Sequence, residues 1–116
     1  SLSGGSIANA GGTITAAGTA TVQSATTLDN RVGLIHGAGS VAVSAQGTID
    51  NTGGQIEADA TVDNPEATLG VNGASLDNTN GRIANTGSGA TSISVATIAN
   101  ANTGGVAGAG TIGGNG

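Results

Sequence analysis

The feature that most restricts what this chain can become is a block that returns along it. Leu28-Asp29-Asn30-Arg31-Val32-Gly33-Leu34-Ile35 is answered by Ile49-Asp50-Asn51-Thr52-Gly53-Gly54-Gln55-Ile56 and by Leu76-Asp77-Asn78-Thr79-Asn80-Gly81-Arg82-Ile83. Two weaker copies flank these. Ile7-Ala8-Asn9-Ala10-Gly11-Gly12-Thr13-Ile14 lacks the Asp, and Ile98-Ala99-Asn100-Ala101-Asn102-Thr103-Gly104-Gly105-Val106 lacks it too and carries one residue more. The opening residues of successive copies are 21, 21, 27 and 22 apart, a period that suits one coil of a β-solenoid. After each block comes a short alternating stretch, Thr19-Ala20-Thr21-Val22, Val41-Ala42-Val43, Leu69-Gly70-Val71 and Ser92-Ile93-Ser94-Val95. Such period-two alternation signals half-buried strand.

Composition explains why the coils must stack. The chain has 116 residues, no Phe, Trp, Tyr or Met, and only 22 Ile, Leu and Val. A compact globule of that size would have little to bury. A coil covered above and below by its neighbours needs only a few aliphatic side chains. Charged residues make up 8% and the net charge is −5, so repulsion does not enforce disorder. Alanine sits among Gly and Thr with no 3.6-residue apolar stripe, which argues against helix. The expected fold is all-β, a single solenoid segment over residues 1–116. It has about five coils of roughly 21 residues, two or three strands each, and is about 24 Å long at ~4.8 Å per coil.

Each repeated position has an expected task. The opening and closing aliphatics and the β-branched residues downstream point inward. Asn9, Asn30, Asn51, Asn78 and Asn100 tolerate left-handed backbone, and stacked copies would form an amide ladder along the axis. Gly12, Gly33, Gly54, Gly81 and Gly105 answer a demand for positive φ or for close backbone approach. The residues before them are Gly11, Val32, Gly53, Asn80 and Gly104; Val32 is the exception and a site of expected strain or a different turn.

Several function classes fall away. Two arginines, Arg31 and Arg82, in an acidic chain without aromatics cannot neutralise a phosphate backbone or stack bases, so no nucleic-acid binding is expected. No apolar run approaches the roughly 20 residues of a membrane helix, so no membrane insertion is expected. The chain has no Cys, hence no disulfide, thiolate site or thiol nucleophile. Beginning Ser1-Leu2-Ser3, and uncapped at Gly113-Gly114-Asn115-Gly116, it is expected to be an excised slice of a longer rod.

These blocks resemble the degenerate repeats of filamentous haemagglutinins, the large exoproteins of two-partner secretion and the contact-dependent inhibition stick proteins of Gram-negative bacteria. The resemblance spans Ile7 to about Ile112. It implies a right-handed parallel β-helix, export through an outer-membrane partner transporter, and a secreted or surface-displayed adhesive rod. That rod would meet a receptor or glycan on a host or neighbouring cell. The Ala at positions 8 and 99, the longer third interval and the shifted Gly105 depart from the pattern.

Candidate sites are few. Asp29 and Asp50 are expected about 5 Å apart, so they either accept turn N–H bonds and face water, with Arg31 and Arg82 as partial counter-charges, or share a cation. The longest interval holds Asp59-Ala60-Thr61-Val62-Asp63-Asn64-Pro65-Glu66-Ala67, expected as a loop protruding over residues 59–67. Asp59, Asp63, Pro65 and Glu66 are its candidates for partner contact; a tolerated insertion is the alternative. His36 is expected to be a solvated turn histidine. Glu57 and Asp59 lie near each other in sequence, too little for glycan chemistry beside two arginines. No catalytic residue, metal or cofactor is expected. Two non-enzymatic alternatives are a fibre subunit that pairs end to end through its strand edges and, less favoured, an ice-binding face, because Thr13-Ile14-Thr15 and Thr19-Ala20-Thr21 do not propagate to later coils.

Overall fold

The computed structural model describes residues 1–103, 105 and 107–114. They contain fifteen strands and no helix, arranged as three five-stranded sheets. Sheet A holds β1 (Leu2–Gly4), β4 (Ala20–Ser24), β7 (Val41–Ala45), β10 (Leu69–Asn72) and β13 (Thr91–Ser94). Sheet B holds β2 (Ile7–Ala8), β5 (Leu28–Asp29), β8 (Thr48–Asp50), β11 (Ser75–Asp77) and β14 (Thr97–Ala99). Sheet C holds β3 (Thr13–Ala16), β6 (Leu34–Gly37), β9 (Gln55–Ala58), β12 (Arg82–Asn85) and β15 (Thr111–Gly114). Every pairing is parallel and joins a strand to its equivalent one coil away. The chain thus winds A, B, C five times, a parallel β-solenoid of five three-strand coils. Its extents, 34 × 33 × 26 Å, make it about as wide as it is long.

In-register pairing turns the repeat into columns. Leu2, Val22, Val43, Val71 and Ile93 lie over one another in sheet A. Ile7, Leu28, Ile49, Leu76 and Ile98 do so in sheet B, and Ile14, Ile35, Ile56, Ile83 and Ile112 in sheet C. The inner members are buried, and sheet A adds a second inward row of Ala20, Val41 and Leu69, so three or four large aliphatics per inner coil fill the interior. A one-residue slip would turn a whole column outward.

The turn from sheet B to sheet C is a four-residue unit opened by Asn. Gly12, Gly33, Gly54 and Gly81 each donate their N–H to the carbonyl of Asn9, Asn30, Asn51 and Asn78, at 2.9–3.0 Å. The third residue has positive φ: Gly11 (67°), Val32 (55°), Gly53 (63°) and Asn80 (56°), as a type II turn requires. The following glycine is needed for space instead. A Cβ on Gly33 would meet the carbonyl oxygen of Asn9 and the Oδ1 of Asn30, and one on Gly54 those of Asn30 and Asn51. Of the two demands foreseen for these glycines, close approach applies to the repeated Gly and positive φ to the residue before it.

Val32 carries a β-branched side chain in left-handed backbone and is 74% exposed, so it keeps the strain without the compensation of burial. Val32→Gly is expected to raise stability by about 1 kcal/mol, the relief of strain being partly offset by a more flexible unfolded chain. A thermal melt checks this; a lower melting temperature would show that Val32 is not strained.

The fifth block corrects two expectations. Its closing aliphatic is Ile112, the residue paired with Ile83. Ile112 lies fourteen positions after Ile98 rather than seven as in the other coils, so the turn is far longer than one extra residue. Gly105 has φ 68° and donates to Asn102 Oδ1 at 2.9 Å, a turn of its own. The residue before β15 that corresponds to Gly81 is Gly110, since Thr111 pairs with Arg82. Gly104, Val106, Asn115 and Gly116, also named in the sequence reading, lie outside the described residues. The 27-residue interval is composite too. Ten residues join β9 to β10, where three join β6 to β7, while the corner from sheet A to sheet B is one residue shorter from Val71 to Leu76 than from Val43 to Ile49.

Candidate functional site

The asparagines form a continuous ladder inside the B–C corner. Nδ2 of Asn9 donates to Oδ1 of Asn30 at 2.8 Å, Asn30 to Asn51 at 2.7 Å, Asn51 to Asn78 at 2.7 Å and Asn78 to Asn100 at 2.8 Å. Each amide also reaches a carbonyl of the next coil: Leu34 at 3.1 Å, Gln55 at 3.0 Å, Arg82 at 3.4 Å and Thr111 at 3.0 Å. Asn30, Asn51 and Asn78 are fully buried, and among the described residues no buried side-chain N or O atom lacks a partner. Asn100, at the open end, is exposed.

Outside the same corner, Asp29, Asp50 and Asp77 stack in one column. Each accepts the N–H two residues on, from Arg31 (3.1 Å), Thr52 (3.0 Å) and Thr79 (3.0 Å). Repulsion between Asp29 and Asp50 is met by Arg31, which grips Asp29 with Nε at 2.9 Å and Nη2 at 2.7 Å and holds Nε 3.9 Å from Asp50. The Arg31 side chain and then its N–H hold Asp29 below the usual carboxylate pKa of 3.8; for Asp77 the Thr79 N–H is the main cause. A carboxylate whose folded pKa is depressed stabilises fully above its unfolded pKa, and that contribution is lost as pH falls through the folded value. The urea midpoint should therefore stay level from about pH 7 to 5 and drop below about pH 4, with a shallower drop in the Asp29→Asn, Asp77→Asn double variant. An identical drop in that variant would remove these two groups as its source.

The outer face of sheet C gathers most of the remaining charge. His36, Glu57 and Ala84 follow one another in one outward row, with Gln55 and Arg82 in the next. His36 Nε2 lies 2.7 Å from Asp59 Oδ2, and Arg82 Nη1 lies 2.9 Å from Glu57 Oε1. His36 is therefore a strand residue on β6 with a carboxylate partner, not a solvated turn histidine. The sequence reading missed it because Asp59 is 23 positions away, outside the 21-residue period. The Glu57 and Asp59 carboxylates are each occupied by a cation or imidazole and so brace the sheet surface.

Asp59 also belongs to the root of the long loop. Its N–H donates to Gly37 O at 3.0 Å, and Ala60 N donates to Thr86 Oγ1 at 2.8 Å. On the return side Pro65 O accepts from Ser88 N at 3.0 Å, Ala67 is fully buried, and Thr68 N donates to Ser40 Oγ at 2.9 Å. Only the tip leaves the wall. There Thr61 and Asn64 exchange N–H to carbonyl bonds of 3.2 Å, and Val62 is 99% exposed. Of the four contact candidates, Asp63, Pro65 and Glu66 are exposed, whereas Asp59 is half-buried in its bond to His36.

Asn85 is a second residue the repeat did not reveal. It occupies an inward place that Ala16, Gly37 and Ala58 hold in earlier coils. Its Nδ2 donates to Ala67 O at 2.9 Å and Gly89 O at 3.3 Å, and its Oδ1 accepts from Gly87 N at 2.9 Å. One buried amide thus ties the loop root to the corner of the fourth coil.

Two further surfaces run along the axis. An open groove of about 860 Å³ follows the A–B corner, lined by small residues and by Ser3, Gln23, Ser44, Gln46 and Asn72, without a charged side chain. On sheet B, Thr48, Ser75 and Thr97 form a hydroxyl column, with Thr48 Oγ1 2.9 Å from Ser75 Oγ. A Ser or Thr precedes every block, from Ser6 and Thr27 onward, a signal the sequence reading passed over. The column stands beside the Asp column, which breaks up any flat threonine array.

No family model matches the chain, and no curated protein or solved structure matches it.

Proposed function

We propose that this chain is a non-catalytic structural rod of a secreted or surface-displayed adhesin. By the resemblance of its blocks, that adhesin would be a haemagglutinin-like exoprotein delivered through an outer-membrane partner. The observation that carries the reading is the division of labour along the coil. The residues that return in each coil, three aliphatic columns and the Asn ladder, are spent on building the wall. The long loop is the stretch that wall-building explains least, and its exposed tip with Asp63, Pro65 and Glu66 is the surface left for a partner. Its charge suits a basic or cation-bridged receptor or glycan, and so small an area gives weak affinity.

Labelled protein added to host cells, neighbouring bacteria and a glycan array tests the proposal. Replacing Asp63, Pro65 and Glu66 with Ser or Gly should abolish retention while leaving the melting temperature within a few degrees of the parent. Binding that survives the replacement would move the functional surface elsewhere. Turnover of a glycan or peptide, lost in Glu57→Ala or Asp59→Ala, would overturn the non-catalytic reading itself.

A further inference from the structure

We propose that the groove along the A–B corner binds a neutral oligosaccharide. The groove is separate from the long loop, and its ligand holds whether or not the chain is an adhesin.

Three successive inner coils build the site. The strands β4, β7 and β10 each pair with another strand on both sides, and each leaves sheet A by the same alternation. Gln23, Ser44 and Asn72 point outward, Ser24, Ala45 and Gly73 turn in, and Ala25, Gln46 and Ala74 point outward again. The space of about 860 Å³ along them falls within the roughly 300–1,000 Å³ of small-ligand clefts. Gln23, Ser44 and Asn72 stand in register, so a polar side chain recurs every ~4.8 Å along the axis. That periodicity suits a ligand that repeats its own polar groups along a chain.

The amides of this corner are unspent. In the B–C corner the ladder asparagines bond to one another. Here no hydrogen bond among the described residues engages the side chains of Gln23, Ser44, Gln46 or Asn72, and the three amides are exposed. An amide or a hydroxyl both donates and accepts. A sugar hydroxyl does the same, so each of these groups can meet it in either sense.

Charge and backbone then narrow the ligand. Every Asp, Glu, Arg and His lies on sheet C, at the B–C corner or in the long loop. An ionic ligand would therefore give up hydration in the groove for no counter-charge. A peptide fares no better. The N–H groups of Ala25, Gln46, Gly73 and Ala74 already donate to the carbonyls of Gly4, Ser24, Ser94 and Gly47, which leaves no row of free donors for an added strand, and the small lining offers no pocket for an apolar anchor. An uncharged, hydroxyl-rich chain is the class that remains. Without an aromatic side chain to stack on, it binds weakly and through hydrogen bonds.

Chemical-shift mapping of the isotope-labelled protein tests this, with maltohexaose, cellohexaose and chitohexaose as neutral probes, a galacturonic acid hexamer as the charged one and a Gly-Ser peptide as the extended chain without sugar. At least one neutral sugar should move the side-chain amide signals of Gln23, Gln46 and Asn72 saturably and leave those of Asn30, Asn51 and Asn78 in place. The triple variant Gln23→Ala, Gln46→Ala, Asn72→Ala should melt within a few degrees of the parent and bind that sugar about tenfold more weakly or worse, read from the backbone signal of Ser44. No saturable shift with any neutral sugar, undiminished affinity in the triple variant, or equal binding of the acidic hexamer or the peptide would overturn the proposal.

Discussion

Replacing Asn51 with alanine is expected to destabilise the protein by about 3 kcal/mol, while the same change at Asn100 costs less than about 1 kcal/mol. Asn51 is fully buried. It accepts from Asn30 at 2.7 Å and donates to Asn78 at 2.7 Å and Gly54 O at 3.3 Å. Truncation leaves Asn78 Oδ1 without this donor in a dry corner and deprives the Asn30 amide of its shortest acceptor, so two coils lose at once. Asn100 accepts one bond, from Asn78, and is otherwise exposed, where water replaces what is lost. Urea unfolding of both variants checks the difference; equal losses would mean that the amides do not act as a stacked ladder.

Gly54→Ala should be worse than Gly53→Ala, although the second glycine is the one with positive φ. At Gly53 (φ 63°) a methyl finds only Val32 Cγ2 at 3.6 Å, so the cost is backbone strain of about 1–2 kcal/mol. At Gly54 it would overlap the carbonyl oxygen of Asn30 and lie 2.7 Å from Asn51 Oδ1. Neither atom can move without breaking a turn or the ladder, and overpacking of this kind costs about 3 kcal/mol or more. Reversed ranks in a thermal melt would show that the corner tolerates separation of its coils.

The sequence disclosed whatever obeys translation from coil to coil. Asn9, Asn30, Asn51 and Asn78, the inner aliphatics of sheets B and C and four of the five strands of sheet A are each met once per turn, so the repeat named them before any coordinate; β1 and the register of sheet A, where Ala20 and not Thr19 pairs with Val41, it did not. What it hid are contacts between unlike positions. His36 meets Asp59 and Arg82 meets Glu57 at 23 and 25 positions, and Asn85 reaches back 18 to Ala67, distances that follow loop length and not coil length. The fifth block misled for the same reason. Its excess lies in a turn, and pairing is decided by where the next aliphatic can seat, which is Ile112. Bounds of 59–67 for the protruding loop also followed composition. Asp59, Ala60 and Ala67 resemble loop residues in sequence, yet Asp59 and Ala60 bond through their N–H groups to Gly37 and Thr86, and Ala67 is buried.

The most direct test of the stacked-coil account is a set of nuclear Overhauser contacts in the isotope-labelled protein. Contacts are expected between the side-chain amide protons of Asn30, Asn51 and Asn78, and between the backbones of Ile35, Ile56 and Ile83, whose strands pair in parallel register. Contacts that instead join sequence-adjacent strands as antiparallel hairpins, such as residues 34–37 to 41–45, would contradict the coil stack.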